Sequence, residues 1–163
     1  MSDTVPENWH WREEPSPTGP IVVFDIDGVI SDASGRQYFL DSTSQDWDGF
    51  FDACGSDVVI SDNAKLLDVI DPAYPVVLLT ARPLWVQDKT IAWLESNGTR
   101  WDLLIMRDHR RPKPSAVFKV ENARMLQERG YDIEVVFEDD RRNVAAYHEA
   151  GIGCVYLHSG YYD

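Results

Sequence analysis

The chain has 163 residues, of which 44% are hydrophobic and 26% charged, as expected for one soluble globular domain with a substantial core. Its 28 acidic and 15 basic residues give a net charge of −13, which argues against a broad nucleic-acid-binding surface. No apolar run is long enough to cross a membrane, and the first 20 residues lack the pattern of a signal peptide. The two cysteines lie far apart in sequence, so we expect a cytoplasmic protein with reduced thiols. The oligomeric state stays open at this point, a homodimer included.

Residues 1–20 are predicted to form an irregular N-terminal arm, because prolines recur along them. Two tryptophans in this arm, Trp9 and Trp11, are expected to pack on the domain or on a partner. Residues 21–163 are predicted to form a single domain.

Within that domain, short apolar runs alternate with amphipathic stretches that end at glycine, asparagine or proline. The runs predict strands at 21–25, 76–79, 103–106, 133–137 and 154–157. The amphipathic stretches predict helices at 63–70, 83–96, 115–129 and 141–150. Alternating strands and helices predict an α/β fold with a doubly wound parallel sheet of about five strands. The polar stretch 28–62 leaves room for a minimal cap over an open site.

Two acids follow the first predicted strand. Asp25 and Asp27 are two residues apart, so an extended chain would point both to one side. Carboxylates at the end of a buried strand are costly unless a cation or hydrogen-bond donors meet them. From this stretch alone, a metal or reactive-carboxylate site has about the same weight as a solvated turn at Asp27-Gly28.

Further polar side chains follow the other predicted strands. In open parallel sheets, ligands bind outside the carboxyl ends of the strands. The candidates at these ends are Thr80, Arg82, Arg107, Lys119, Glu138, Asp139 and Asp140. Acids that share a cation, beside hydroxyl and cationic groups that hold an anion, predict a site for a phosphate and its metal ion.

The same residue types suit phosphate hydrolysis. A carboxylate such as Asp25 can attack phosphorus and form an aspartyl-phosphate, which divides the reaction into two easier steps. Thr80 can donate a hydrogen bond to the transferring group, and Lys119 can supply a point charge. Asp27 can protonate the leaving oxygen and later activate water.

The order of these elements resembles the haloacid dehalogenase (HAD) superfamily of phosphotransferases. The resemblance rests on Asp-Ile-Asp-Gly-Val from Asp25, Leu-Leu-Thr up to Thr80, a later lysine, and Glu-Asp-Asp from Glu138. It implies a HAD-like Rossmannoid fold with Mg²⁺ as cofactor. It also implies Asp25 as nucleophile, Asp27 as general acid/base with a backbone metal contact, and Thr80 and Lys119 as phosphate binders. The implied metal ligands are Asp25, Asp27 and Asp139, with Glu138 and Asp140 as nearby candidates.

Several segments more closely resemble the 3′-phosphatase half of phage-type polynucleotide kinase/phosphatase. They are 25–36, Thr80-Ala81-Arg82, Met106-Arg107, Val117-Phe118-Lys119, Phe137-Glu138-Asp139 and Ser159-Gly160. This resemblance implies that Arg36, Arg82 and Arg107 surround the substrate phosphate and that DNA or RNA 3′ ends are the substrate. Taken singly, each arginine is better explained as a surface ion-pair partner, but their joint placement favours phosphate binding. The phosphate loop of the kinase half does not occur in the chain.

Several alternatives remain open at this point. A nucleotide or other small-molecule phosphatase is the nearest one, and a receiver-like or non-catalytic binding module is the other class. Lys113, in the basic loop 107–113, competes with Lys119 for the phosphate. The aromatic residues of the cap are expected to belong to the core or to a small lid, although one or two can stack on a nucleobase.

Overall fold

The computed structural model describes residues 4–162, in which strands and α-helices alternate along most of the chain. The strands are β1 Trp9–Trp11, β2 Gly19–Phe24, β3 Ser31–Asp32, β4 Val58–Val59, β5 Val76–Pro83, β6 Leu103–Arg107, β7 Tyr131–Glu138 and β8 Cys154–Tyr156. The α-helices are α1 Trp47–Asp52, α2 Ser61–Val69, α3 Gln87–Ser96, α4 Ser115–Glu128 and α5 Arg141–Glu149. Within residues 4–162, no helix is long and apolar enough to cross a membrane.

The central sheet has six strands in the order β1-β6-β5-β2-β7-β8. Five of them, β2, β5, β6, β7 and β8, pair in parallel, which confirms the predicted doubly wound α/β fold. The parallel strands begin with β2 in the middle of the sheet, run outward through β5 and β6, and then continue on the other side with β7 and β8, so the order reverses between β2 and β7. The carboxyl ends of these two strands are therefore where a ligand site is expected.

The sixth strand corrects the prediction for the N-terminal arm. Trp9–Trp11 is not irregular, because it pairs antiparallel with β6, with Trp9 opposite Ile105. The Trp9 side chain is buried, and its indole N–H donates to Oδ1 of Asn122 in α4 at 2.8 Å. A three-residue strand between prolines is stabilised by this tertiary pairing rather than by its own sequence pattern.

The sheet separates two hydrophobic cores, because successive side chains of a strand point to opposite faces. On one face, Ile21 and Val23 of β2 pack with residues of α4 and α5. On the other face, Val22 and Phe24 pack with α2, α3 and the segment after β2. Burial on both faces explains why the parallel strands are continuous apolar runs.

A minimal cap lies between β2 and α2, as the sequence predicts. Two 3-10 helices, Ala33–Leu40 and Ala53–Ser56, flank α1, and β3 and β4 pair at the base of the cap. Phe50 and Phe51 of α1 are buried in the core on this face of the sheet. The cap thus contributes to the fold as well as covering part of the sheet edge.

The turn after β2 lies directly against the carboxyl end of β7. The backbone N–H of Asp25 donates to the carbonyl of Phe137 in β7, so the ends of both strands are joined. Gly28 has a φ of 78°, and a Cβ there would overlap the carboxylate of Asp139. Only glycine allows this close approach of the turn to the end of β7.

Candidate active site

A cavity of about 700 Å³ opens at the carboxyl ends of the central strands. Its lining contains six of the residues that the sequence singled out: Asp25, Asp27, Thr80, Arg107, Lys119 and Asp140. The cap contributes further lining residues, which include Trp47, Phe50 and Phe51. The predicted strand-end residues therefore converge, as the rule for doubly wound sheets requires.

Three buried carboxylates cluster at this edge. One oxygen from each of Asp25, Glu138 and Asp139 lies within 4.8 Å of the others. A single lysine accompanies them: Nζ of Lys119 lies 3.0 Å from Asp25 and 2.6 Å from Glu138. Lys119 is itself buried, so one ammonium group partly balances three buried acids.

The shortage of positive charge affects the pKa values of these carboxyl groups. Burial, followed by the charge of Glu138, raises the pKa of Asp25 well above its ordinary value. Burial likewise raises the pKa of Asp139 to about 7. Burial also opposes the charge on Glu138, but Lys119 and hydrogen bonds outweigh it, and the pKa of Glu138 is lowered. Two of the three acids thus lack sufficient stabilisation of their ionised form.

The cluster has the properties of a divalent-cation site. Both side-chain oxygens of Asp139 are buried, and neither has a hydrogen-bond partner among residues 4–162. Glu138, by contrast, accepts hydrogen bonds from Lys119 and from the backbone N–H groups of Asp139 and Asp140. Unsatisfied oxygens of this kind are the ligands that Mg²⁺ prefers, so the residues present fit the metal that the family resemblance implies. The Asp27 carboxylate does not belong to this three-acid group.

Asp27 lies instead in a second cluster, which is rich in arginine. Its Oδ1 accepts hydrogen bonds from Arg36 at 2.6 Å and from Arg82 at 2.7 Å. A second acid, Asp57, accepts from Nε and Nη2 of Arg36 at 2.8 and 2.6 Å and lies 3.5 Å from Arg82. Two carboxylates and two guanidinium groups therefore balance one another. Burial alone would raise the pKa of Asp27, but Arg82 and Arg36 outweigh it and lower the pKa.

In this second cluster, two of the three arginines expected around the substrate phosphate are bound to acids. Arg36 and Arg82 are 2% and 0% exposed, and neither lines the cavity, because their guanidinium groups are bound to Asp27 and Asp57. Arg107 does line the cavity, and no carboxylate pairs with it within the part of the chain that the structure describes. Of the three arginines, only Arg107 is placed to meet an anion in the cavity directly.

Three other candidates are also resolved by their contacts. The Asp140 carboxylate does not belong to the three-acid group, because it caps α5 and pairs with Arg142 at 2.8 Å. Lys113 pairs with Glu121 at the surface, so Lys119 is the lysine of the cavity. The Thr80 hydroxyl lines the cavity and accepts the backbone N–H of Arg82 at 3.1 Å, which leaves its own hydrogen for another acceptor.

Two functional candidates were missed in the sequence. Asp57 follows a short turn in the cap, far from any predicted strand end, and no local pattern distinguishes it from the other acids. Arg142 lines the cavity from the first turn of α5, where an arginine is also an ordinary surface residue. Only the tertiary structure shows that these side chains reach the site.

Several solved structures share this fold. A chain in the Pnkp1/Rnl/Hen1 RNA repair complex is 21% identical with a TM-score of 0.74, covering 93% of this chain and 46% of that one. The class C acid phosphatase from Bacillus anthracis is 17% identical with a TM-score of 0.63, covering 90% and 69%. A haloacid dehalogenase-like hydrolase from Streptococcus pneumoniae is 14% identical with a TM-score of 0.60, covering 90% and 87%.

These structural similarities concern the fold, and the chain spans less than half the length of the RNA repair chain. No curated protein matches the sequence. A family model does match: that of the polynucleotide kinase PNKP phosphatase domain covers residues 19–162, nearly all of the described chain. The chain therefore belongs to the family of PNKP phosphatase domains, within the HAD superfamily of phosphatases.

Proposed function

We propose that the chain is a Mg²⁺-dependent phosphomonoesterase that removes 3′-phosphates from polynucleotide ends through an aspartyl-phosphate intermediate. One observation supports this proposal most strongly. The buried Asp25 carboxylate lies 3.0 Å from Lys119, within the three-acid group, and lines an open cavity. A carboxylate so placed is exposed to a ligand and has a cationic neighbour to hold the phosphate that it attacks.

In the first step, the Asp25 oxygen bonds to phosphorus and the bond from phosphorus to the 3′-oxygen of the substrate breaks. Thr80, Lys119 and Arg107 line the cavity and are proposed to bind the oxygens of the transferring group. The leaving oxygen takes a proton from Asp27. The alcohol departs, and the phosphoryl group remains on Asp25.

In the second step, water attacks the phosphorus of the aspartyl-phosphate, and Asp27 takes its proton. Inorganic phosphate leaves and the Asp25 carboxylate is restored. Arg82 and Arg36 lower the pKa of Asp27, which favours the ionised form that accepts this proton. The same shift disfavours the protonated form of the first step but makes that form a stronger acid toward the leaving oxygen. The proton taken from water is the one that Asp27 gives to the next leaving group, so the cycle conserves it.

The metal ligands are proposed to be the carboxylates of Asp25 and Asp139 together with the backbone carbonyl of Asp27. Asp139 contributes two buried oxygens that have no partner in the described chain. A bound Mg²⁺ would offset the charge of these acids and of the substrate phosphate. Glu138, already bound to Lys119, is proposed to orient that lysine.

The substrate proposal depends on where the positive charge lies. The cavity of this acidic protein is lined by Arg107, Lys119 and Arg142. Outside it, the basic loop is partly neutralised, because Arg110 pairs with Glu7 and Asp108, and Lys113 pairs with Glu121. Lys119 and Arg142 are themselves paired with acids, whereas Arg107 has no ion pair among the described residues, and one such cation suits a single terminal phosphate better than a long stretch of backbone. The same neutralised loop favours a second candidate function, a mononucleotide phosphatase.

The substrate class is tested with a panel of phosphate esters. We expect 3′-phosphorylated DNA or RNA oligomers to be hydrolysed with a higher kcat/KM than 3′-mononucleotides, 5′-mononucleotides or sugar phosphates. The measurement is phosphate release at equal substrate concentrations. Mononucleotides that are better substrates than oligomers by an order of magnitude or more would instead establish the second candidate function.

Replacement of the nucleophile separates chemistry from folding. Asp25→Asn should lower kcat about a thousandfold or more, because no carboxylate remains to form the intermediate. Since the raised pKa of Asp25 means that its charge destabilises the metal-free fold, the variant should unfold at an equal or higher urea concentration in chelator. Full activity in the variant would exclude Asp25 as nucleophile.

Metal dependence is tested by activity and by binding. Chelator should abolish phosphate release, and added Mg²⁺ should restore it. Mg²⁺ should also raise the Tm of the wild-type protein by mass action. The same addition should have little effect on the Tm of Asp139→Asn, which lacks one charged ligand. An equal Mg²⁺-dependent rise in both proteins would show that Asp139 does not bind the ion.

Asp57 is proposed to position Asp27 through the two arginines. Asp57→Asn should lower kcat with little change in KM, and should cost about 3 kcal/mol of stability, because a buried arginine loses a charged partner. The control is Asp52→Asn in the same cap, which removes a solvent-exposed ion pair with Lys89 of α3 and should change neither kcat nor stability appreciably. If Asp57→Asn is destabilised but its kcat is normal below the unfolding transition, Asp57 is only structural.

A further inference from the structure

A large aromatic side chain lies at the cavity without a role in the mechanism above. Trp47, at the start of α1, lines the cavity together with Asp25, Thr80 and Lys119, and 47% of the residue is exposed. Exposed tryptophan is common enough at single surface positions, but here it borders the site itself. Its position raises the question of what the indole would contact when a substrate is bound.

Trp47 is held by its neighbours and does not fill the core. Its ring stacks on Phe51 at a centroid distance of 5.9 Å and meets Phe50 edge-on at 5.7 Å. Phe50 and Phe51 are each 6% exposed, so these two side chains, and not Trp47, fill the core beneath the cap. The indole is therefore braced on buried rings while nearly half of the residue remains accessible.

The aromatic group is also continuous with the catalytic residues. The Arg36 guanidinium lies over the Phe50 ring at 4.4 Å, and Arg36 binds Asp27. A ligand that contacts Trp47 would thus rest on a surface whose position relative to Asp27 is fixed by packing. A rigid aromatic side chain with two χ angles also loses little conformational entropy on binding.

We propose that Trp47 is a stacking platform for the terminal nucleobase of the substrate, so that the site selects nucleoside phosphates over phosphate esters without a base. The proposal rests on the proposed function, because it concerns the substrate of that site. Every base has a π-face, so a stacking contact tolerates any sequence at the end of the strand. The stacked base would supply affinity that the partly neutralised basic loop does not.

Other exposed aromatic residues provide contrasts. Tyr162 is 49% exposed and also lines the cavity, with the Arg142 guanidinium 5.5 Å from its ring. Tyr38 lies in the same cap as Trp47 and is 64% exposed, but it stacks on Phe39 and is not a lining residue. Tyr38 is therefore the matched control, and Tyr162 is the competing platform.

The test compares two oligonucleotides that differ only in the nucleotide that carries the 3′-phosphate, one with a normal base and one with an abasic tetrahydrofuran. For Trp47→Ala, kcat/KM on the normal end should fall about tenfold, mainly through KM, as expected for the loss of one base–aromatic stack. The abasic end should be hydrolysed at nearly the wild-type rate. Trp47→Phe should recover most of the loss, and Tyr38→Ala should behave as wild type on both substrates.

Two results would overturn the proposal while leaving the proposed function intact. In one, Trp47→Ala loses activity equally on normal and abasic ends, which would make Trp47 a structural residue of the cap. In the other, Tyr162→Ala shows the base-dependent loss and Trp47→Ala does not, which would move the platform to the C-terminal tail. If the wild-type protein hydrolyses neither oligonucleotide, the proposed function itself fails, and the stacking proposal with it.

Discussion

The structure depends on how charge is buried at the carboxyl ends of β2 and β7. Two clusters lie side by side there with different charge balances. Around Asp25, three acids share one lysine, and the pKa of Asp25 is raised by burial and by Glu138. Around Asp27, two acids meet two arginines, and the pKa of Asp27 is lowered. Acids two residues apart thus differ in their protonation behaviour in the metal-free protein, and a cation bound beside Asp25 would favour the ionised form that a nucleophile needs.

The cluster of Asp27, Asp57 and the two arginines also explains how so small a cap can be ordered. Arg36 lies in the first 3-10 helix of the cap, and Asp57 directly follows the second one. Arg82 lies in β5. Their ion pairs join both ends of the cap to the edge of the sheet. Because truncating one member would strand a buried charge, the cluster is costly to open and holds the cap in one position. In the three-acid group beside it, the fold holds Asp139 where both of its carboxylate oxygens lack a hydrogen-bond partner among the described residues.

Much of the fold was predictable, because buried parallel strands appear as apolar runs and ligand sites form at their ends. This rule brought Asp25, Thr80, Lys119 and Asp139 into one region before any contact was known. Long-range pairing was not predictable: nothing local indicates that Arg36 and Arg82 bind Asp27 and Asp57 rather than a phosphate. The strand Trp9–Trp11 was missed for the same reason, since its hydrogen bonds are made with β6. Asp140 is different, because an acid directly before a helix start is a recognisable N-cap that the sequence pattern already contained.

The charge distribution limits how such a site can select a nucleic-acid end. With a net charge of −13, the protein as a whole repels a polyanion, and this repulsion acts over about a Debye length. The cavity cations Arg107, Lys119 and Arg142 act at shorter range, where one terminal phosphate can reach them. Backbone phosphates farther along a strand meet a loop whose cations are partly paired with acids. Under the proposed function, selection of a polynucleotide end would depend on the terminal phosphate and on contacts to the nucleoside that carries it. An aromatic side chain beside the cavity would then have more influence on specificity than in a basic protein, where backbone contacts dominate.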